Sequence, residues 1–411
     1  MLEQRSRNGE VCHVCHADGC QPRPGTDSRE ILLLAGTRPE GIKLAPLALR
    51  LRCSDRFIAS IIDTGQHPGR VDEALAPFGL APVARATLQR ASGTLAELCA
   101  GLIGAVDAML VDRQPAAVVV QGDTLTALAG GLVGFWRRVP VVHLEAGLRT
   151  HDLAAPFPEE ANRAMLARVA RLHLAPTERA RRNLLAEGVR GDDVVVTGNT
   201  IVDAVQHLIS TGAATPPAFV DQSRSLVVAT SHRRENWGER FIDVCAALRQ
   251  LARRNPQVQV VMVAHPNPAL ASALRTLLPE SSGVLVVPPL PYPEMLGLLN
   301  RAALVVTDSG GIQEEAATLG VPLLVTRDTT ERPEAIACGI GAVVGTDPDR
   351  ILAEAEARLS APAPAAPTTA PFGDGHAARR CVEAIAAMLE APAPDGDPSV
   401  RLRPGPLLPI V

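Results

Sequence analysis

From Glu30 to about residue 389 the chain alternates short runs of Ile, Leu and Val with longer segments whose apolar residues recur every three or four positions. That is the pattern of parallel strands joined by helices. In the first half it predicts strands at residues 31–34, 57–63, 117–121, 139–144, 172–175 and 194–197. Helices are expected from near Gly41, with Ile42, Leu44 and Leu47 on one face, and over residues 94–113, 158–170 and 177–187. After a Pro- and Ser-containing stretch at 215–225 the alternation restarts, with strands at 226–230, 258–263, 284–287, 304–307 and 322–326. The pattern predicts an α/β fold of two doubly wound, Rossmann-like domains, residues 29–199 and 200–370, facing across a cleft at their strand C-terminal ends. Beyond Leu359 the stretch APAPAAPTTAP reads as an extended linker, followed by a helix at about 376–389 within segment 371–390; the Pro- and Gly-rich residues 391–411 read as a loose tail.

The length of 411 residues agrees with two domains of ordinary size. Hydrophobic residues at 46% and charged residues at 20% are the balance of a soluble globular protein. Aromatic residues are only 2% and the net charge is -4, which together exclude base stacking and a basic phosphate footprint, so no nucleic-acid partner is expected. No apolar run approaches the roughly 18 residues of a membrane span, and no signal-peptide stretch opens the chain, so a cytoplasmic location without membrane contact is expected. Residues 1–28 carry Cys12, His13, Cys15, His16 and Cys20, spelling C-x-x-C-H. The segment reads as an extension preceding the folded domains, with a metal site as the alternative reading. Cys53, Cys99, Cys245, Cys338 and Cys381 stand in apolar or helical contexts and read as small core residues.

Candidate chemistry collects at the strand ends. Asp123, Glu145, His232, His265 and Ser309 each sit at or just past the C-terminal end of an expected strand. One such residue would cap the next helix; recurrence at five strand ends points to a site. Ser309, Gly310 and Gly311 lead directly into a helix, where backbone N–H groups meet an anion such as a phosphate or diphosphate. Glu315, one turn in, is placed for two neighbouring hydroxyls such as those of a ribose. Arg38, Lys43 and Arg332 supply cations. Asp123, Glu145 and Glu159 are acids that environment can divide between general-acid and general-base duty, and one of the Glu159–Glu160 pair is expected to serve the helix start. Walker, G-x-G-x-x-G and H-E-x-x-H patterns do not occur, and the spacing of Gly339, Gly341 and Gly345 does not suit a dinucleotide, which disfavours NAD.

Ten segments in order resemble the non-hydrolysing UDP-N-acetylglucosamine 2-epimerases: GTRPEGIKLAPL from Gly36, TGQH from Thr64, QGDTLTALAGGL from Gln121, HLEAGLRT from His143, FPEEANR from Phe157, TGNTIVDAV from Thr197, TSHRREN from Thr230, TDSGGIQEEA from Thr307, RDTTERPEA from Arg327 and FGDGHAARR from Phe372. The resemblance implies a glycosyltransferase-B-like fold whose last helix crosses back to the first domain. It also implies a homodimer and reversible interconversion of UDP-GlcNAc and UDP-ManNAc through 2-acetamidoglucal, with neither metal nor cofactor. On matching positions it implies an acid/base set of Asp123, Glu145 and Glu159. His232, Arg38, Lys43 and Arg332 would neutralise the diphosphate, residues 309–311 would cradle it, and Glu315 would hold the ribose. Tyr292 and Met295 fall in the segment expected at the base, Met295 where the family often has Phe. Gln66 and His67 match a region that holds a second, activating UDP-GlcNAc in some members, although Pro68 and Gly69 replace polar residues there. Rival readings are a hydrolysing epimerase, an epimerase of a diacetamido-uronic acid nucleotide, a glycosyltransferase, and a catalytically silent nucleotide-sugar sensor.

Overall fold

The computed structural model describes residues 28–231, 238–265, 267–361 and 370–391. The Cys/His cluster of residues 12–20, His232, linker residues 362–369 and the tail from 392 lie outside them. In chain order the first unit holds β1 (Arg29–Ala35), α1 (Arg38–Arg52), β2 (Phe57–Asp63), α2 (Arg70–Leu75), β3 (Ala84–Arg85), α3 (Leu95–Arg113), β4 (Ala117–Gln121), α4 (Leu125–Trp136), β5 (Val141–Leu144), α5 (Glu159–Val169), β6 (Leu172–Ala175), α6 (Glu178–Ala186) and β7 (Val194–Val196), and α7 (Thr200–Ser210) leads out of it. The second holds β8 (Ser225–Thr230), α8 (Glu239–Arg254), β9 (Val258–Val263), α9 (Pro268–Leu277), β10 (Val284–Val287), α10 (Tyr292–Arg301), β11 (Leu304–Thr307), α11 (Gly310–Leu319), β12 (Leu323–Val325), α12 (Pro333–Ala337), β13 (Gly341–Val343) and α13 (Pro348–Ser360). α14 (Ala377–Glu390) follows.

The two compact units divide at Ala204 and Gly375, so that α14 belongs with the first. It packs against α1. Its N-terminus is capped by Asp203, whose carboxylate accepts from the N–H groups of Ala378 at 2.9 Å and Ala377 at 3.2 Å, and Arg380 donates to the Thr197 carbonyl at 3.1 Å.

Each unit is built on a parallel sheet, ordered β3-β2-β1-β4-β5-β6-β7 in the first and β10-β9-β8-β11-β12-β13 in the second. Ile31, Leu32, Leu33 and Leu34 of β1 are fully buried, because helices cover both faces. In both sheets the chain winds outward in opposite directions from one central pair, β1 with β4 and β8 with β11. Loops leaving that pair at its carboxyl end diverge and leave a crevice, the place where open α/β sheets take ligands.

The pattern places most strands, and at two of the strand starts that differ a proline explains it. Strand 139–144 begins only at Val141, since the Val139 N–H is taken by the Gly134 carbonyl at 2.9 Å and Pro140 has none. Likewise β12 begins after Pro322. Helix α4 has no counterpart in the pattern reading. Its sequence LTALAGGLVGFW is apolar almost throughout and carries three helix-disfavouring glycines. Those glycines let it lie tight on the sheet: a Cβ on Gly130 would come within 2.6 Å of Leu34 and 2.7 Å of Val120. No helix among the described residues is long and apolar enough to cross a membrane.

Candidate active site

In the first unit, strand order brings the turns after β1, β4 and β5 side by side at the carboxyl edge. Glu145, directly after β5, adopts a left-handed backbone with φ 63°. For a residue with a Cβ this conformation costs on the order of 1 kcal/mol and persists only where the surroundings over-determine it. Here they do. Lys43 of α1 and Asn199, at 3.0 Å, both donate to Oε1, while Gln121 at the end of β4 donates to Oε2. Lys43 and Glu145 are both buried, and the extra amide donors supply part of what the pair loses in leaving water. Lys43, read from sequence as a diphosphate cation, is thus ion-paired with a carboxylate of its own unit.

Asp123, in the turn between β4 and α4, is held differently. Arg163 of α5 donates Nη2 to its carboxylate at 2.5 Å, and Asn162 donates to its carbonyl at 2.8 Å. The other arm of Arg163 reaches Glu160 at 2.9 Å, and Glu160 accepts from the N–H groups of Thr150 and His151, each at 3.0 Å. Glu160 is therefore the framework member of the acidic pair, and the part-buried Glu159 opens α5 beside it. Arg38 stands part-buried at the first position of α1. Gln66 gives its side-chain oxygen to Thr126, accepting from N–H at 3.0 Å and from the hydroxyl at 2.8 Å. The exposed His67 donates its backbone N–H to the Gly36 carbonyl at 2.8 Å.

In the second unit Thr230 and Thr307, ending β8 and β11, share a hydroxyl hydrogen bond of 2.7 Å, and Ser231 donates to Asp308 at 3.2 Å. Ser309 caps α11 without a side-chain hydrogen bond to it, and Gly310 and Gly311 form the helix's first turn. The Arg332 guanidinium lies directly against that turn: a Cβ on Gly310 would stand 2.7 Å from its Cζ and would push the guanidinium aside. A cation at the positive end of a helix is unfavourable on the dipole alone. Two buried carboxylates hold it, Glu314 at 2.8 Å and Glu331 at 2.6 Å, and Arg327 pairs with the other Glu331 oxygen at 2.5 Å. Helix end and guanidinium together make a locus for an anion. Glu315 is buried further along α11, and Tyr292 and Met295 are buried at the start of α10, which packs on α11. His265, after β9, accepts from the Asn267 N–H at 3.0 Å. His232 lies outside the described residues.

Pattern reading missed Gln121, Asn199, Arg163, Glu314 and Glu331. Each sits inside a segment quoted above. Gln121, a lone amide closing the apolar strand AVVVQ, carried the clearest signal.

The model of the UDP-N-acetylglucosamine 2-epimerase family matches residues 50–386. The chain belongs to that family. A UDP-N-acetylglucosamine 2-epimerase of Yersinia pestis is 40% identical over 369 residues, covering 87% of this chain and 98% of that protein. The crystal structure of UDP-GlcNAc 2-epimerase from Neisseria meningitidis bound to UDP-GlcNAc is similar with a TM-score of 0.81 and 34% identity, covering 87% of this chain and 99% of that one. The Methanocaldococcus jannaschii UDP-GlcNAc 2-epimerase in complex with UDP-GlcNAc and UDP follows at 0.78 and 32%, again covering 87% and 99%. Within the epimerase match lie Asp123, Glu145, Glu159 and residues 309–311; Arg38 and Lys43 precede it.

Proposed function

We propose that this protein interconverts UDP-GlcNAc and UDP-ManNAc without releasing free sugar. The hydrogen on C2 is too weakly acidic for simple removal, so the reaction proceeds by elimination. The C1–O bond breaks with its electrons leaving on UDP, the C2 proton passes to a protein base, and 2-acetamidoglucal forms. UDP then adds back at C1 while an acid delivers a proton to the opposite face of C2. Acid/base groups for both faces and stabilisation of the departing diphosphate are the requirements.

Asp123, Glu145 and Glu159 are assigned the proton transfers, and Lys43 holds Glu145 in place. Arg38, His232 and Arg332 neutralise the diphosphate, residues 309–311 cradle it, Glu315 holds the ribose, and Tyr292 and Met295 flank the base. A homodimer is the working assembly, to be checked by sedimentation. Gln66 is assigned to the loop it ties to Thr126, and no separate effector role is proposed for it or for His67.

The observation that carries this reading is the pair of carboxylates at neighbouring strand ends, Asp123 and Glu145, each fixed by a cation of its own. Incubation with UDP-GlcNAc in deuterated water tests it: UDP-ManNAc should form with deuterium at C2. UDP and free N-acetylmannosamine as main products would assign the chain to the hydrolysing class instead. Tight UDP binding without either product would make it a sensor.

A further inference from the structure

Glu40, in the first turn of α1, is completely buried and has no part in the chemistry assigned above. A glutamate at this position ordinarily serves its own helix start. One oxygen of Glu40 does so, accepting from the Gly36 N–H at 2.9 Å. The other accepts from the Thr124 hydroxyl, 84 residues away, next to Asp123. Thr124 in turn accepts from the Ala127 N–H at 3.0 Å and caps α4. The two turns are also pressed together, since a Cβ on Gly36 would come within 2.2 Å of the Thr126 hydroxyl and 2.5 Å of that of Thr64. Burial pushes Glu40 up to about 7 against the opposing hydrogen bonds of Thr124 and Gly36, so near neutrality it acts as a hydrogen-bonding strut more than as a fixed charge.

We infer that Glu40 is a positioning residue: by joining the turn that bears Arg38 to the turn that bears Asp123, it fixes the Asp123 carboxylate for proton transfer. The inference rests on the assignment of Asp123 as an acid/base group. Turnover depends on sub-ångström placement of such a group, while nucleotide binding is shared by Arg38 with Arg332, residues 309–311 and Glu315, so a shift of the Arg38 turn weakens it less.

Steady-state epimerisation of UDP-GlcNAc by Glu40→Ala, Glu40→Gln, Asp123→Asn and the double variant Glu40→Ala/Asp123→Asn decides it. Glu40→Ala should lower kcat on the order of 10²-fold, the scale of a displacement of about 1 Å, with KM changed much less. Glu40→Gln, which keeps a side-chain acceptor at the same reach, should recover most of that loss. Because Glu40 acts through Asp123, adding Glu40→Ala to Asp123→Asn should slow the enzyme by less than about threefold more, far short of additivity. Should Glu40→Ala give no folded protein, Thr124→Ala against Thr124→Ser supplies the same contrast. Unchanged kcat in Glu40→Ala, or full additivity in the double variant, overturns the inference while leaving the proposed function intact. Normal turnover in Asp123→Asn overturns the acid/base assignment itself.

Discussion

Glu145 carries the left-handed backbone, the buried ion pair and the two amide donors, so its surroundings are built around one carboxylate. Replacing Lys43 by Met keeps the aliphatic stem but leaves Glu145 buried without its cation. That change should cost about 3 kcal/mol of stability, measured by denaturant unfolding, and lower turnover as well. Conservative changes at the assigned acids, Asp123→Asn, Glu145→Gln and Glu159→Gln, should each lower kcat roughly 10² to 10⁴-fold with UDP affinity in calorimetry nearly unchanged. Near-normal rates in all three would remove the acid/base assignment. Asp123 and Glu145 were legible because each follows an apolar strand, and Glu159 because it opens a helix. Their partners Asn199 and Arg163 were not, because only folding brings residues 54 and 40 positions away onto them.

Among elements, α4 and α3 show opposite uses of glycine. Gly104 lies in the middle of α3 with open space where a Cβ would go, so Gly104→Ala should raise stability by about 0.5–1 kcal/mol through helix propensity alone. In α4, Gly130→Ala gains the same propensity but forces a methyl group into Leu34 and Val120. It should lower stability by about 1–3 kcal/mol. Thermal unfolding of the two variants side by side tests the contrast, and equal shifts would contradict the packing of α4. The same balance hid α4 from the pattern: local propensity votes against it, and only the sheet beneath pays that cost back. Strands were easier to read, since an apolar run such as Val118, Val119 and Val120 has one use in a sheet covered on both faces.

At the scale of the whole molecule, acid should weaken the fold through two histidines beneath the carboxyl edge. His143 and His173 are buried with ring centroids 6.5 Å apart, and His143 shares a 2.8 Å hydrogen bond with the Gly122 carbonyl. Burial, with His173 and Arg149 adding to it, pushes His143 down to about 3; burial and Arg149 push His173 down to about 4 against the pull of Asp193. Both are neutral in the fold, whereas in the unfolded chain they take up a proton near pH 6.5. Stability is therefore full above that value and falls as pH drops below it, by about 2 kcal/mol per histidine at pH 5. Urea unfolding of the wild type and His143→Gln at pH 7 and pH 5 isolates the histidine contribution. Glu40, pushed up to about 7, and Asp203, pushed up to about 6, gain stability on acidification in both proteins, so the wild type should lose about 2 kcal/mol relative to the variant. Equal changes in the two would assign the acid sensitivity elsewhere.

By itself the sequence determined the α/β class, the restart of the strand–helix alternation after residues 215–225, and the polar residues collected at strand ends. Those are consequences of local periodicity and of turn chemistry, which neighbours along the chain settle. Only the tertiary structure decided that Lys43 serves Glu145, that Glu160 and not Glu159 braces Arg163, that Arg332 leans on Gly310, and that α4 is a helix at all. Lys43 with Glu145 and Arg332 with Gly310 are contacts between residues distant in sequence, and the choice between Glu159 and Glu160 turns on where the Thr150 and His151 backbone lies. Helix α4 is one whose propensity is outweighed by packing, and the strand order that brings such groups to one edge is not written in any local pattern.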